Sequence, residues 1–530
     1  MKTNWHQSVI YHIYPRSFKD SNKDGIGDLN GIIQKLDYVV ELGADTIWIS
    51  PTYPSPMRDF GYDISDFCNV DPLFGTLEDF DNLIQEAHNR NIKVIIDYIP
   101  GHTAWEHPWF VASASSRINP KRDWYIWRDP KPDGSVPNNW LSVFGGSRWE
   151  YDARTGQYYM HSFLKEMPDL NWRNPEVVDA MLEVLRFWLK RGIDGIRIDS
   201  FNVIYKHMDY LDEPLNPAYI HGENDPFREH DHIYTLSQPE LLPLLKTFRK
   251  VLSEFGDKFM VTESYVEMPQ LLKLYRAGDS LHAPFNFNIF KLPWNLNEYK
   301  SFIDVFDKEV GHEYIPTYVL GNHDNHRIAT KIGSNQARIA AMLQLTLRGM
   351  PTVYYGEEIG MIDGEISLDE MQDPWAKNVG DVRLGRDPQR TPMQWNTEKY
   401  AGFSTKKPWL PIGKQYMYSN VEIQQSDTQS MLNLYKTILH FRKQSPALLY
   451  GTYESLKIKN KNVYAYMRTY KTEKLLILLN FSEEEQKISL NIPTSQVICN
   501  SYLTKEKGSL MDLKNSTLAP FEGYILQLSQ

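Results

Sequence analysis

The 530-residue chain carries 67 acidic and 57 basic side chains, a net charge of −10. That balance argues against a general nucleic-acid binder, which needs a basic face to displace phosphate counterions. Hydrophobic residues at 42% allow a large core, the length calls for two or three domains, and apolar runs such as 94–96 and 475–479 fall far short of the roughly 20 residues that cross a bilayer.

Met1 to Gln7 offers one lysine with no apolar stretch behind it, unlike a signal peptide, so a cytoplasmic location is expected. Eight β-rich apolar runs are predicted in chain order, at 9–14, 46–50, 94–99, 195–199, 259–263, 286–290, 317–320 and 352–355. Between them lie amphipathic stretches such as 77–90, where Leu77, Phe80, Leu83, Ile84 and Ala87 recur at helical spacing. The alternation predicts an α/β fold, a (β/α)₈ barrel, although periodicity alone also permits an open doubly wound sheet. Between Gly101 and Pro168 the helical period is lost in a Pro-, Gly- and Trp-rich stretch, read as a loop-built insertion after the third strand. Its aromatic residues, with Trp140, Trp149, Tyr158, Tyr159 and Trp172 in or beside it, suit packing of an irregular subdomain or a stacking surface for sugars. From Leu449 alternating runs at 463–467, 475–479 and 488–492 predict an antiparallel β-domain. The expected layout is a barrel over 1–100 and 169–448, an insertion over 101–168 and a C-terminal β-sandwich over 449–530. Cys68 and Cys499 fall in different domains and read as plain buried thiols.

Three segments end in a carboxylate where a barrel strand should end: Gly195-Ile196-Arg197-Ile198-Asp199, Val261-Thr262-Glu263 and Gly321-Asn322-His323-Asp324. The C-terminal strand ends of such a barrel form one face, so the three groups would converge. One alone is weak, because an Asp after a strand is commonly a helix N-cap. With Arg197 and His323 they describe a site that ionises one carboxyl, protonates another and hydrogen-bonds a polyol.

These segments, with Asp97-Tyr98-Ile99-Pro100-Gly101-His102, resemble the four ordered regions of the α-amylase clan of glycoside hydrolases. Ala44 to Pro51, Gly61-Tyr62-Asp63-Ile64, Asn138 to Ser142, Phe144-Gly145-Gly146, Pro168 to Trp172 and Arg390-Thr391-Pro392-Met393-Gln394-Trp395 are similar to its α-glucosidase and oligo-1,6-glucosidase branch. The resemblance runs from about Ser8 to Pro446. It implies a retaining, exo-acting α-glucosidase for short α-1,4 or α-1,6 glucosides, with Asp199 as nucleophile, Glu263 as acid/base and Asp324 holding the distorted sugar. A retaining enzyme needs one ionised and one protonated carboxyl about 5 to 5.5 Å apart. Arg197 lies two residues before Asp199 on the same strand side and can keep it ionised. By the same resemblance His102 and His323 bind glucose hydroxyls, Tyr62 stacks on the sugar, and Asp59 pairs with Arg390 to close the non-reducing end.

Asp20-Ser21-Asn22-Lys23-Asp24-Gly25-Ile26-Gly27-Asp28 presents oxygen ligands at alternate positions, the chemistry of a hard-cation loop, though Gly31 at the twelfth position excludes an EF-hand. The resemblance implies structural Ca²⁺ or Mg²⁺ on Asp20, Asn22, Asp24, Asp28 and the Ile26 carbonyl; an Asx-rich turn without metal is the alternative. Glu229-His230-Asp231-His232 reads as a solvated loop, because it lacks a helix-spaced histidine partner. No organic cofactor is implied, and the partner is a small saccharide, with the chain a monomer or homodimer. Two positions depart from the family pattern. Gly101 replaces the usual Asn before His102, and Ser200 follows the nucleophile where Val, Ala or Thr is common, which makes Ser200 the candidate selector of linkage. A glucosyltransferase or a sucrose or trehalose isomerase of the same clan is the close alternative, and a non-catalytic scaffold the distant one.

Overall fold

The computed structural model describes residues 5–278, 283–492 and 494–528. Eight parallel strands, β1 Ile10–Ile13, β2 Thr46–Ile49, β3 Lys93–Tyr98, β4 Gly195–Ile198, β5 Phe259–Thr262, β6 Ala283–Pro284, β7 Thr317–Val319 and β8 Met350–Tyr354, pair in the order β7-β8-β1-β2-β3-β4-β5-β6. Every neighbour is the next strand in the chain, with β8 beside β1, so the order is cyclic. A doubly wound sheet would reverse direction at a switch point, which excludes that alternative.

The sixth strand differs from its expected place at 286–290. Its two residues pair with β5, and Asn288–Lys291 is a short helix whose first turn begins with the Asn288 N–H donating to Asn286 Oδ1 at 3.1 Å. Pro284 has no N–H to offer a ladder. Instead Thr317 bridges the β6–β7 gap: its Oγ1 donates to the Pro284 carbonyl at 2.7 Å and accepts from the Asn286 N–H at 2.9 Å.

Alternation along the strands separates two cores. Ile10, Trp48, Ile95, Phe259, Val261 and Met350 fill the barrel, while Tyr11, Ile47, Ile96, Ile196 and Met260 face the surrounding helices. Among the latter, Leu77–Asn89 buries Phe80, Leu83, Ile84 and Ala87 and begins with a capping box of Thr76 and Asp79.

The insertion is more regular than a loop. It holds helix Pro108–Ser115 and an antiparallel sheet of Trp127–Arg128, Gln157–Met160 and Trp149–Asp152. Trp140, Trp149, Tyr159 and Trp172 are buried in packing and none lines the main cavity. Pro at the first helical position and a short strand spacing leave no long period to read.

The C-terminal strands form a six-stranded antiparallel sheet, from Thr452–Ser455 to Gly523–Leu528, and a second pair, Gln486–Ile488 with Ser516–Leu518. The expected strand at 488–492 therefore ends where it was thought to begin. Cys499 is buried and Cys68 only half-buried, and neither is bridged. Among the described residues no helix is long and apolar enough to cross a membrane.

Candidate active site

Interior positions change character along the barrel, from apolar residues near the strand starts to His12, Trp48, Asp97 and Arg197 near the ends. Asp97 and Arg197 are register partners on β3 and β4, and so face one another inside the barrel. Arg197 is fully buried. Its Nη1 lies 3.1 Å from Asp97 Oδ1 and 2.7 Å from Asp199 Oδ1, and its Nη2 meets Glu263 Oε1, so one guanidinium holds three carboxylates. Asp97 is fixed in turn by the Trp48 indole N–H at 2.9 Å and the Tyr62 hydroxyl at 2.9 Å.

Asp199, Glu263 and Asp324 converge on a cavity of about 420 Å³ also lined by Asp59, Tyr62, His102, Ser200 and Arg386. Burial raises both Asp199 and Glu263 above the usual carboxylate range. Arg197 opposes this in each, neighbouring carboxylates add to it in each, and Glu263 is left the higher of the two, at about 8 against about 6 for Asp199. Burial would raise Asp324 as well, but Arg386 and Arg390 outweigh it and hold that group below its ordinary value. The site thus keeps one carboxyl protonated beside others that are ionised. The Ser200 N–H donates to Glu263 Oε2 at 3.1 Å and orients it.

Burial holds His102 neutral, its pKa lowered to about 4. Its Nε2 donates to the Tyr62 carbonyl at 3.1 Å, which leaves a bare, buried Nδ1 without a hydrogen-bond partner among the described residues. His323 is also kept neutral, by burial and by Arg390. Because the single Tyr62 hydroxyl proton goes to Asp97, His323 Nε2 must donate to that oxygen at 2.7 Å, fixing the tautomer. Its ring lies between Tyr14 and Tyr62, so it sets the Tyr62 ring that lines the cavity.

The end remote from Glu263 is closed by a different pair from the one expected. Arg390 does not hold Asp59. It is fully buried, donating to Asp324 Oδ1 at 2.7 Å and to the His323 carbonyl at 2.8 Å. Asp59 pairs instead with Arg386 at 2.6 Å, and Arg386 also holds Asp373 at 2.7 Å and reaches Asp324 at 3.4 Å. The reason is position: Arg386 precedes a short 3₁₀ turn, Pro388–Arg390, and Arg390 ends it, so Arg386 is the one placed at Asp59 while Arg390 is directed to Asp324. Two arginines in one segment were the available sign that both closures needed a cation.

With this geometry in place, the comparisons are specific. The model of the α-amylase catalytic domain matches residues 12–451, and that of the maltogenic amylase C-terminal domain matches 453–525. The chain belongs to the α-amylase family. A probable α-glucosidase of Rhizobium meliloti is 42% identical over 91% of this chain and 90% of its own length. An oligo-1,6-glucosidase of Parageobacillus thermoglucosidasius is 36% identical over 99% of both. Among solved structures, the α-glucosyl transfer enzyme XgtA superposes with a TM-score of 0.91 at 36% identity, covering 99% of each chain. An isomaltulose synthase from Erwinia rhapontici NX5, in complex with its natural substrate sucrose, gives 0.89 at 36% identity, covering 100% of this chain and 99% of its own.

For a member of the α-amylase family, two departures now have a structural setting. A Cβ at Gly101 would meet nothing within 4 Å, so no neighbour demands glycine there, and Arg197 takes its partners from Asp97, Asp199 and Glu263. Ser200 adopts the left-handed region at φ 41° and ψ 42° beside the cavity. Ser200→Val is therefore expected to lower stability by roughly 1–2 kcal/mol through backbone strain. It should also raise the ratio of isomaltose to maltose turnover about tenfold. An unmoved ratio in a folded variant would remove Ser200 as the selector.

The oxygen-rich loop is tightly self-bonded. Asp20 accepts from the Lys23 and Gly25 N–H groups at 2.7 and 3.0 Å, Asp24 from the Ile26 N–H at 2.8 Å and Asn22 from the Asp24 N–H at 3.0 Å. Asp28 accepts from Ser21 and caps helix Leu29–Gln34. Among the described residues no three His, Cys, Asp or Glu side chains gather as a metal-holding group. The donors are hard oxygens suited to Ca²⁺, yet a cation would share them with these N–H groups. The segment at 229–232 is only partly solvated: His232 is buried, stacked on Phe227 at 3.7 Å and bonded to the Phe227 carbonyl at 2.5 Å, and His230 is buried against Asn139. These partners, not a metal, account for both histidines.

Proposed function

We propose that the protein is a retaining, exo-acting α-glucosidase for short α-glucosides. The observation that carries this reading is a cavity open on the Glu263 side, where Tyr265, Glu267 and Lys291 are exposed, and shut at the other end by Asp59, Arg386 and Asp324. One terminal glucose fits between, its hydroxyls facing the Arg-bound carboxylates and the bare His102 Nδ1. Asp199 attacks the anomeric carbon while Glu263 protonates the departing oxygen; Glu263 then takes a proton from water, which releases glucose from Asp199. Arg197, held in place by Asp97, keeps the nucleophile ionised and aimed.

Glucosyl transfer or sucrose isomerisation is the second reading, favoured by the close superposition on XgtA and on the isomaltulose synthase. The two differ in what attacks the glucosyl-enzyme. Maltose, isomaltose and sucrose should each give free glucose from the first minutes, at low and high substrate alike. Trisaccharides or isomaltulose as main products would overturn the hydrolytic reading.

We also propose that the loop from Asp20 to Asp28 takes Ca²⁺ or Mg²⁺ as a structural ion. Its support is the all-oxygen donor set and its place, where it joins the first barrel helix to the segment around Phe403 and Trp409 and stands apart from the cavity. A cation at 100 times its Kd would add about 2.7 kcal/mol to stability. Chelation is expected to lower Tm and leave low-temperature turnover unchanged; lost activity at unchanged Tm would contradict this.

A further inference from the structure

Behind the closed end of the glucose cavity lies a second, larger cleft of about 710 Å³, and Phe163 lines both. The wall between them is thin. Asp59 faces the cavity while its neighbours Arg58 and Phe60 face the cleft, and Phe144 and Trp375 are followed or preceded by cleft residues, Gly145 and Pro374. Side chains make the barrier. The Phe144 ring is stacked on Trp375 at 5.4 Å, meets Phe163 edge-on at 5.5 Å and carries the Arg386 guanidinium 4.8 Å from its centre. Beyond it the cleft offers Glu166, Gln372 and Asn378, hydrogen-bonding groups of the kind a neutral sugar uses.

We propose that Phe144, with Trp375 behind it, is the plug that makes a blind one-glucose pocket out of a through-groove, and that the cleft behind it is a preformed site for a second glucose unit on the non-reducing side. The inference rests on the exo-acting reading and names the residues that set it. Asp59 and Arg386 hold the terminal hydroxyls, but they span only part of the wall. The aromatic cluster fills the rest, and the Arg386 guanidinium packs on the Phe144 face.

The test is p-nitrophenyl α-maltoside at a concentration low enough to suppress glucose transfer. The unmodified protein should release glucose and p-nitrophenyl α-glucoside, with no maltose. Phe144→Ala, checked for folding by its turnover of p-nitrophenyl α-glucoside, should release maltose together with p-nitrophenol in the initial phase, to at least about a tenth of the glucose formed, where the unmodified protein releases none. Phe144→Leu, which keeps the buried site filled, and Trp375→Ala, which opens the half-exposed outer side, should release less maltose. Variants that still cleave the glucoside yet yield no maltose overturn the plug. Maltose from the unmodified protein would instead overturn the exo-acting reading itself.

Discussion

Asp199→Ala is expected to lower kcat on every α-glucoside by a factor on the order of 10⁴ or more, because it removes the nucleophile while Asp59 and Asp324 stay tied to Arg386 and Arg390. Arg197 would then keep two carboxylate partners, Asp97 and Glu263, so the fold should survive and substrate binding persist. Glu263→Gln should be comparably slow on maltose but far less so on a glucoside with a good leaving group, which departs without a proton. The two variants also separate in pH dependence. Burial and the neighbouring carboxylates raise Glu263 more than Asp199, so the acidic limb of kcat/KM belongs to ionising the nucleophile and the alkaline limb to deprotonating the acid. Glu263→Gln, assayed on the activated glucoside, should lose the alkaline limb and keep the acidic one. A profile unchanged in shape would reassign the acid.

Arg386→Ala should be the most damaging change at the closed end. It strips the partner from two buried carboxylates at once, Asp59 and Asp373, and weakens the hold on Asp324. Leaving one buried charge unpaired costs about 3–5 kcal/mol, so a large drop in Tm is expected together with a raised KM for disaccharides. Asp59 already sits high for an aspartate, pushed up by burial to about 6 with Arg386 holding it down. Without that cation it should take up a proton near neutrality. Arg390→Ala should act differently, lowering kcat through a misplaced Asp324 while KM moves less. Equal KM for Arg386→Ala and the unmodified protein would contradict the assignment.

The parts of this site that lay in the sequence are those set by short-range rules. Alternation puts Arg197 and Asp199 on one strand side, and three strand-ending carboxylates meet because a barrel brings its strand ends together. What sequence order could not give is pairing across the fold. Asp97 acts through its register with Arg197, a relation between strands, and Trp48 through an indole N–H that reaches 49 residues along the chain. Asp59 chooses Arg386 over Arg390 across 327 residues, on the geometry of one 3₁₀ turn. The sixth strand failed for the opposite reason: 286–290 has strand-like residues, but Pro284 and the Thr317 bridge end the ladder before them. The plug is of the same kind, three aromatic side chains from separate segments whose joint role exists only where they touch.

The central claim is a two-step displacement through Asp199 with Glu263 as acid and then base, and the most direct measurement is the anomer first released. Proton NMR during the first minutes of maltose or p-nitrophenyl α-glucoside hydrolysis follows the product before mutarotation. Two inversions at the anomeric carbon predict α-glucose first, with β-glucose growing in only at the mutarotation rate. β-Glucose as the first product would mean a single displacement by water, and would contradict the roles given to Asp199 and Glu263.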